Sequence, residues 1–334
     1  MSEKEIFSIY THILQLLKQR RLADVFNKLQ PLLDELQDWN YINRKEELET
    51  VYRNLLQYAV LGVNDPQQQL IFNQLLENLY DLVSDVKEAL LIRISSRVEY
   101  AQKRYVQITP VRFEELVNAL ELGASHHALG ELLTTGLQDD GEKATQFAIE
   151  HEQHLLAIFN FIWLSGKWST NEKQLIIKLL QSSEIDTTDR SVIISAITLS
   201  LLRNFYPSKF TLLLTYAEHT ELEVKQRVIV GIALIIARYA ERIQLNESCM
   251  NQLKLLCDKK AFQQELESIV MQLVRTSETE SITKRIREEI MPDVIRLTPM
   301  MKDKMDSDSF KMDELNDKNP EWQEILEESG IADK

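Results

Sequence analysis

Glycine and proline are scarce in this chain: 8 and 7 of 334 residues, roughly 4.5% together where an average protein carries about 12%. Strand-rich folds need turn residues every ~8 to 12 positions, so their absence excludes an all-β architecture and allows only few, short turns. Cysteine is nearly absent too. Cys249 and Cys257 stand in the stretch ESCMNQLKLLCDKK with neither a metal-ligand spacing nor a disulfide framework, and they read as reduced core thiols. The chain has no basic excess either. A formal net charge of −14 repels a phosphate backbone and disfavours nucleic acid as a partner. Finally, the most apolar runs, LLAIFNFIWL (155–164), VIISAITLSLL (192–202) and VIVGIALIIA (228–237), are far shorter than the ~18 to 20 residues of a membrane span. The opening MSEKEIFSIY carries acidic residues where a signal peptide has basic ones, so the expectation is a cytoplasmic protein with no membrane partner.

What is abundant is Leu, Ile, Gln, Glu, Lys and Arg, and the chain reads as all-α. The apolar periodicity predicts helices over 3–20, 22–37, 41–61, 66–104 with a break near Ser84-Asp85, 110–122 and 125–136. It continues with helices over 142–165, 170–182, 187–204, 207–218, 221–243, 246–258, 260–276, 279–297 and a short 320–329. Asp65-Pro66, Thr109-Pro110 and Asn319-Pro320 pair a capping residue with proline, which marks helix starts. Pro31 and Pro292 interrupt helical patterns and predict a kink or break.

A shift of 35 residues aligns DRSVIISAITLSLLR (189–203) with VKQRVIVGIALIIAR (224–238). Arg190 then falls on Lys225, Ile193 on Val228, Ala196 on Gly231, Ile197 on Ile232 and Arg203 on Arg238. The small pair, Ala196 and Gly231, belongs where two helices approach most closely. A recurrence of this length with two helices per unit signals stacked hairpins. The pattern resembles the second helix of HEAT or armadillo-type repeats, which tends to read Val-Arg-x-x-Ala-x-x-Ala-Leu; here Val224-Lys225-Gln226-Arg227-Val228-Ile229-Val230-Gly231-Ile232 departs from it conservatively. The stretch LQDWNYINRKEELETVYRNLLQYAVLGVNDP (36–66) looks like the leading part of large bacterial helical-repeat proteins that go on to tetratricopeptide-type repeats.

These resemblances imply an alpha-alpha superhelix of HEAT-like helical hairpins in three parts. Residues 1–140 form an irregular N-terminal helical-hairpin region, 141–298 the HEAT-like repeats, and 299–334 an acidic, methionine-rich tail with a short terminal helix. In that tail, 300–334 holds 11 acidic and 5 basic residues, and Trp322, Ile325 and Leu326 share one face of its helix. The abrupt end after that helix reads as a fragment of a longer protein.

The closest approach to a chemical site is EHEQH (150–154), in which His151, His154 and Glu150 share a helical face. Zinc accepts such ligands, but the motif has neither zinc-protease nor di-iron spacing, and His126 and His127 fall on another predicted helix. The cluster therefore reads as solvated helix-start positions, with no metal and no cofactor. No nucleophile motif or glycine-rich phosphate loop is present. Arg203, Arg238 and Arg275 recur at one position of successive helices, where a cation offsets the helix dipole; stacked as a ladder they also suit an acidic peptide. The partner-facing candidates are therefore Arg203, Arg238, Arg275, Trp322, Ile325 and Leu326.

The function expected is a non-enzymatic scaffold for a protein or peptide partner, one part of a larger protein. Two alternatives stand beside it: a solenoid-based enzyme or nucleic-acid module resembling HEAT-like DNA glycosylases, and structural support for an activity encoded downstream.

Overall fold

The computed structural model describes residues 1–61, 67–105, 110–133, 141–285 and 288. All regular structure among them is helical: α1 (Glu3–Lys18), α2 (Leu22–Leu36), α3 (Trp39–Val60), α4 (Gln68–Ile94), α5 (Val98–Tyr105), α6 (Pro110–Leu133) and α7 (Gly141–Leu164). There follow α8 (Thr170–Gln181), α9 (Thr187–Arg203), α10 (Pro207–Thr215), α11 (Leu222–Leu245), α12 (Glu247–Cys257) and α13 (Lys260–Arg285). By contacts the chain divides into two units, Met1–Met271 and Gln272–Lys334. Of the second, only the C-terminal part of α13 and residue 288 are described. Among the described residues no helix is long and apolar enough to cross a membrane.

Helix starts follow local chemistry. Ser2 and Ser169 each close a capping box with the glutamate three residues on, while Asp38, Asp186 and Asn246 accept a backbone N–H of the first turn. Proline opens α6 at Pro110 and α10 at Pro207. The sequence pattern misplaces several interruptions. Helix α4 runs through Ser84-Asp85 and ends at Ser95, and α6 spans both segments predicted around Gly123 as one helix. A lone helical glycine weakens a helix by about 1 kcal/mol, too little to break it. Likewise α2 continues through Pro31. The proline costs about 3 kcal/mol, but Leu29, Leu32, Leu33 and Leu36 are each buried, at ~1.5–3 kcal/mol apiece. The helix starts expected at Asp65-Pro66 and Asn319-Pro320 and the break expected at Pro292 lie outside the described residues.

Few glycines leave few residues that adopt left-handed backbone freely. Arg20 (φ 57°) and Gln37 (φ 52°) do so after α1 and α2, where glycine is the usual choice. Helix ends are also closed by side chains of other helices, which donate to carbonyls at or just past the last turn. Arg93 of α4 donates to Leu36 O at the end of α2 (2.8 Å), and Arg104 of α5 to Ser95 O at the end of α4. Arg190 of α9 donates to Ser182 O and Ile185 O after α8 (3.0 and 2.9 Å). At the end of α9, Tyr239 of α11 donates to Leu202 O (3.0 Å). The end of α7 takes two cations, Arg203 onto Leu164 O (2.8 Å) and Lys209 onto Ser165 O (3.0 Å).

The first unit holds two apolar clusters. One gathers α1, α2 and α4 around residues such as Ile13, Leu29, Leu33, Leu79 and Val83; the other gathers α6 to α12 around Phe113, Ile162, Ile193, Ile197, Leu213 and Val228. Within the second, α9 and α11 pack together and bury corresponding positions: Ile193 and Val228, Ala196 and Gly231, Ile197 and Ile232. A Cβ built on Gly231 meets Thr198 Oγ1 at 2.5 Å and Leu213 Cδ2 at 3.3 Å, so hydrogen is the only substituent that fits. Gly231→Ala is expected to lower stability by up to about 2 kcal/mol, overpacking of ~1–3 less a helix-propensity gain of about 1. In a Thr198→Ala background the same change should become neutral or stabilising; chemical denaturation of the four chains measures this.

Candidate functional site

The densest chemistry lies on α4. Its apolar side, with Leu75, Leu79, Val83, Val86 and Leu90, belongs to the first cluster. Its other side carries Tyr80, Asp81, Ser84, Lys87 and Glu88, all buried, with Asp85 partly so. Two-faced burial of this kind arises because α11 continues past a non-helical residue, Tyr239 (φ −128°, ψ 26°), and brings its last turns against α4. There Arg242 is hydrogen-bonded to Asp81, Tyr80 donates to Glu241 (3.3 Å), and Asn246 donates to Glu77 (2.8 Å). Lys167 adds an ion pair with Asp81 at 2.8 Å.

Cations outnumber acids around Lys87. Its Nζ donates to Asn204 Oδ1 (3.0 Å) and lies 4.7 Å from the centre of the Tyr10 ring. Burial pushes its ammonium down to about 8; Glu88 opposes the shift, and Arg238, Arg203 and Arg242 add to it. Glu88 is itself shared between Lys103 (3.1 Å) and Arg203 (3.4 Å), while Arg203 Nη1 is buried without a hydrogen-bond partner. Nearby, Lys209 is fully buried in a nest of oxygens: Ser165 O, Ser165 Oγ and Ser200 Oγ within 3.2 Å. The Trp168 ring lies over it at 4.4 Å. Burial, with Arg203 and Lys103 close by, holds this amine well below the usual lysine range.

Beside this junction a groove of about 150 Å³ opens at the Tyr239 kink, between α1, α4 and α11. Tyr10, Leu14 and Tyr239 form apolar walls, and Lys18, Arg238, Arg242 and the carboxylate of Glu241 bring charge to it.

The structure separates the residues singled out from sequence. The Arg203 side chain is buried, bonded to carbonyls at the end of α7 and paired with Glu88, so its cation serves a helix end other than its own. Arg238 is exposed at the groove, its guanidinium 5.6 Å from the centre of the Tyr239 ring. Arg275 is exposed on α13 in the second unit. Trp322, Ile325 and Leu326 lie outside the described residues, as do the side chains of His126 and His127. His151 and His154 stand in the body of α7, away from any helix start. His151 Nε2 meets Asp189 Oδ2 of α9 at 2.7 Å, and among the described residues no group of three or more His, Cys, Asp or Glu is placed to hold a metal. Burial pushes the Cys249 thiol up to about 12, as expected of an inert core cysteine.

Sequence reasoning passed over Asp81, Lys87, Lys209 and Arg242. Their trace is there for α4: polar residues at 81, 84, 85 and 88 form one stripe on a helix otherwise rich in Leu and Val, of which the pattern marks only Ser84-Asp85, as a break. Comparison of the chain with protein-family models, curated proteins and solved structures returned no match.

Two predictions follow from this geometry. Asp81→Leu alone leaves the buried Arg242 guanidinium without its carboxylate and is expected to cost about 3–5 kcal/mol; Arg242→Met should cost less, because Lys167 still pairs with Asp81, and the double variant should lose clearly less than the sum. Additive losses in urea titrations would contradict the pairing. Lys87 gives a signed pH effect. Its folded form releases the proton near pH 8 while the unfolded chain keeps it to about 10.5, so the stability linked to it is present above 10.5 and is lost as pH falls through 8. Wild-type stability relative to Lys87→Met should therefore rise between those pH values, with a limiting slope of about 1.4 kcal/mol per unit.

Proposed function

We propose that the protein is a non-enzymatic α-solenoid of HEAT-like helical hairpins that binds a protein partner, as part of a larger protein. The observation that carries this reading is a lateral series of polar bonds from each helix to the next but one. His151 of α7 meets Asp189 of α9 at 2.7 Å, Arg190 of α9 pairs with Glu221 at the start of α11, and Lys225 of α11 pairs with Glu265 of α13 at 2.6 Å. Arg190 and Lys225 are the two residues that the 35-residue shift superimposes, so sequence recurrence and contact recurrence coincide. Burial of equivalent positions on α9 and α11 supports the same view. Arrays of hairpins expose long continuous surfaces suited to protein contact.

The alternative of a glycosylase-like enzyme draws on the cations and aromatic rings around α4. Such chemistry needs an acid free to meet substrate. Asp81 is instead held by Arg242 and Lys167, and Glu88 by Lys103 and Arg203. The scaffold reading accounts for these bonds without further assumption.

Affinity capture with the full chain from extracts of its own cells, read by mass spectrometry and by nucleic-acid absorbance, tests the proposal. A protein recovered in near-stoichiometric amount is the expected result. Recovery of nucleic acid alone, or of nothing above a control chain, would overturn it.

A further inference from the structure

We propose that the groove at the Tyr239 kink binds an acidic segment of a partner protein, taking a Glu or Asp carboxylate flanked by aliphatic residues. The inference rests on the scaffold reading and names the chemistry of its partner.

Charge comes first. Of the cations at the groove, Arg242 is matched by Asp81 and Lys18 by Glu241 (3.1 Å). Arg238 has no carboxylate within ion-pair distance among the described residues, and it is exposed. Lys87, behind the Tyr10 ring, has no carboxylate bonded to its Nζ and takes Asn204 and the ring instead. One exposed cation, Arg238, therefore faces the groove uncompensated, with the buried Lys87 behind it, in a chain whose net charge is −14. A bound carboxylate would gain a charge-assisted bond from Arg238 and relieve the mutual repulsion of Arg238, Arg242 and Lys87.

Shape and polarity choose among anions. Tyr10, Leu14 and Tyr239, with Ala237 and Ala240, present mostly carbon to the space. Inorganic phosphate offers oxygens on all sides and needs donors on all sides, which these walls lack. A nucleic-acid backbone would bring many charges against an acidic surface for one uncompensated exposed arginine. An acidic side chain between aliphatic neighbours satisfies both features, its carboxylate on Arg238 and its stem and neighbours on Tyr10, Leu14 and Tyr239.

The site is also preformed. The Tyr239 hydroxyl is tied to Leu202 O (3.0 Å) and the Tyr80 hydroxyl to Glu241 (3.3 Å), so the aromatic floor is held before any ligand arrives.

The test titrates the intact chain into a fluorescein-labelled peptide of alternating Glu and Leu, read by anisotropy, beside the same peptide with Gln in place of Glu. Saturable binding of the Glu peptide, weakened about tenfold or more by the Gln exchange, by Arg238→Gln and by raising salt from ~0.05 to ~0.5 M, is the expected result. Ala240→Trp fills the groove at an exposed position without changing charge, and should abolish binding while leaving the melting temperature near wild type. Equal binding of both peptides, or full affinity in Arg238→Gln, overturns the proposal. Displacement of the peptide by inorganic phosphate at about its own concentration reassigns the groove to small anions and overturns it too. A chain that captures its protein partner yet ignores the Glu peptide would sink this inference alone, leaving the scaffold reading in place.

Discussion

The last carbonyls of an α-helix have no partner within the helix, and this chain, with 8 glycines in 334 residues, has few of the residues that usually close that end. Its solution is tertiary. Arg93, Arg104, Arg190, Arg203, Lys209 and Tyr239 each reach from one helix to the closing turn of another. Every such bond satisfies part-buried backbone and cross-links two elements at once, and a cation there also offsets the negative end of the helix dipole. Helix termination and helix packing thereby become one requirement.

That requirement explains the charge of the interior. Cations drawn in to cap α7 arrive beside α4, where Lys87 and Lys103 already lie, and the acids present are too few to match them all. Asp81 and Glu88 hold two cations each. Buried ion pairs of this kind contribute little net stability against an apolar replacement, because desolvation consumes most of the attraction. What they fix is position: Arg242 meets Asp81 only if α11 bends at Tyr239 and only in one register along α4. The bend in turn shapes the groove, so the uncompensated Arg238 and the apolar walls beside it trace back to how the helices end.

Much of the helical order was legible in the sequence, because N-caps are local. Ser169 with Glu172, Asp186, Asn246 and Pro110 announce their helices within a few residues, and α8 to α12 begin within one residue of where the pattern places them. C-terminal ends are less legible, since the groups that close them sit on another helix, for α2, α7 and α9 tens of residues away. The polar stripe on α4 is obscure for the same reason: Ser84-Asp85 looks like a break until Ser84 is seen beside α11 and Asp85 paired with Arg44 of α3. Arg203 was recognised as a cation near a helix end, but the carbonyls it serves belong to α7. Lys209 gave no signal, a lysine two residues after Pro207 being ordinary for an exposed helix start.

Hydrogen exchange read by mass spectrometry on Arg203→Met tests most directly the claim that distant side chains close these helices. Removing the guanidinium should speed exchange across the last turns of α7, about residues 158–165, while amides of α2, closed by Arg93, keep wild-type protection. Unchanged protection at the end of α7, or loss spread evenly over the first unit, would contradict the account.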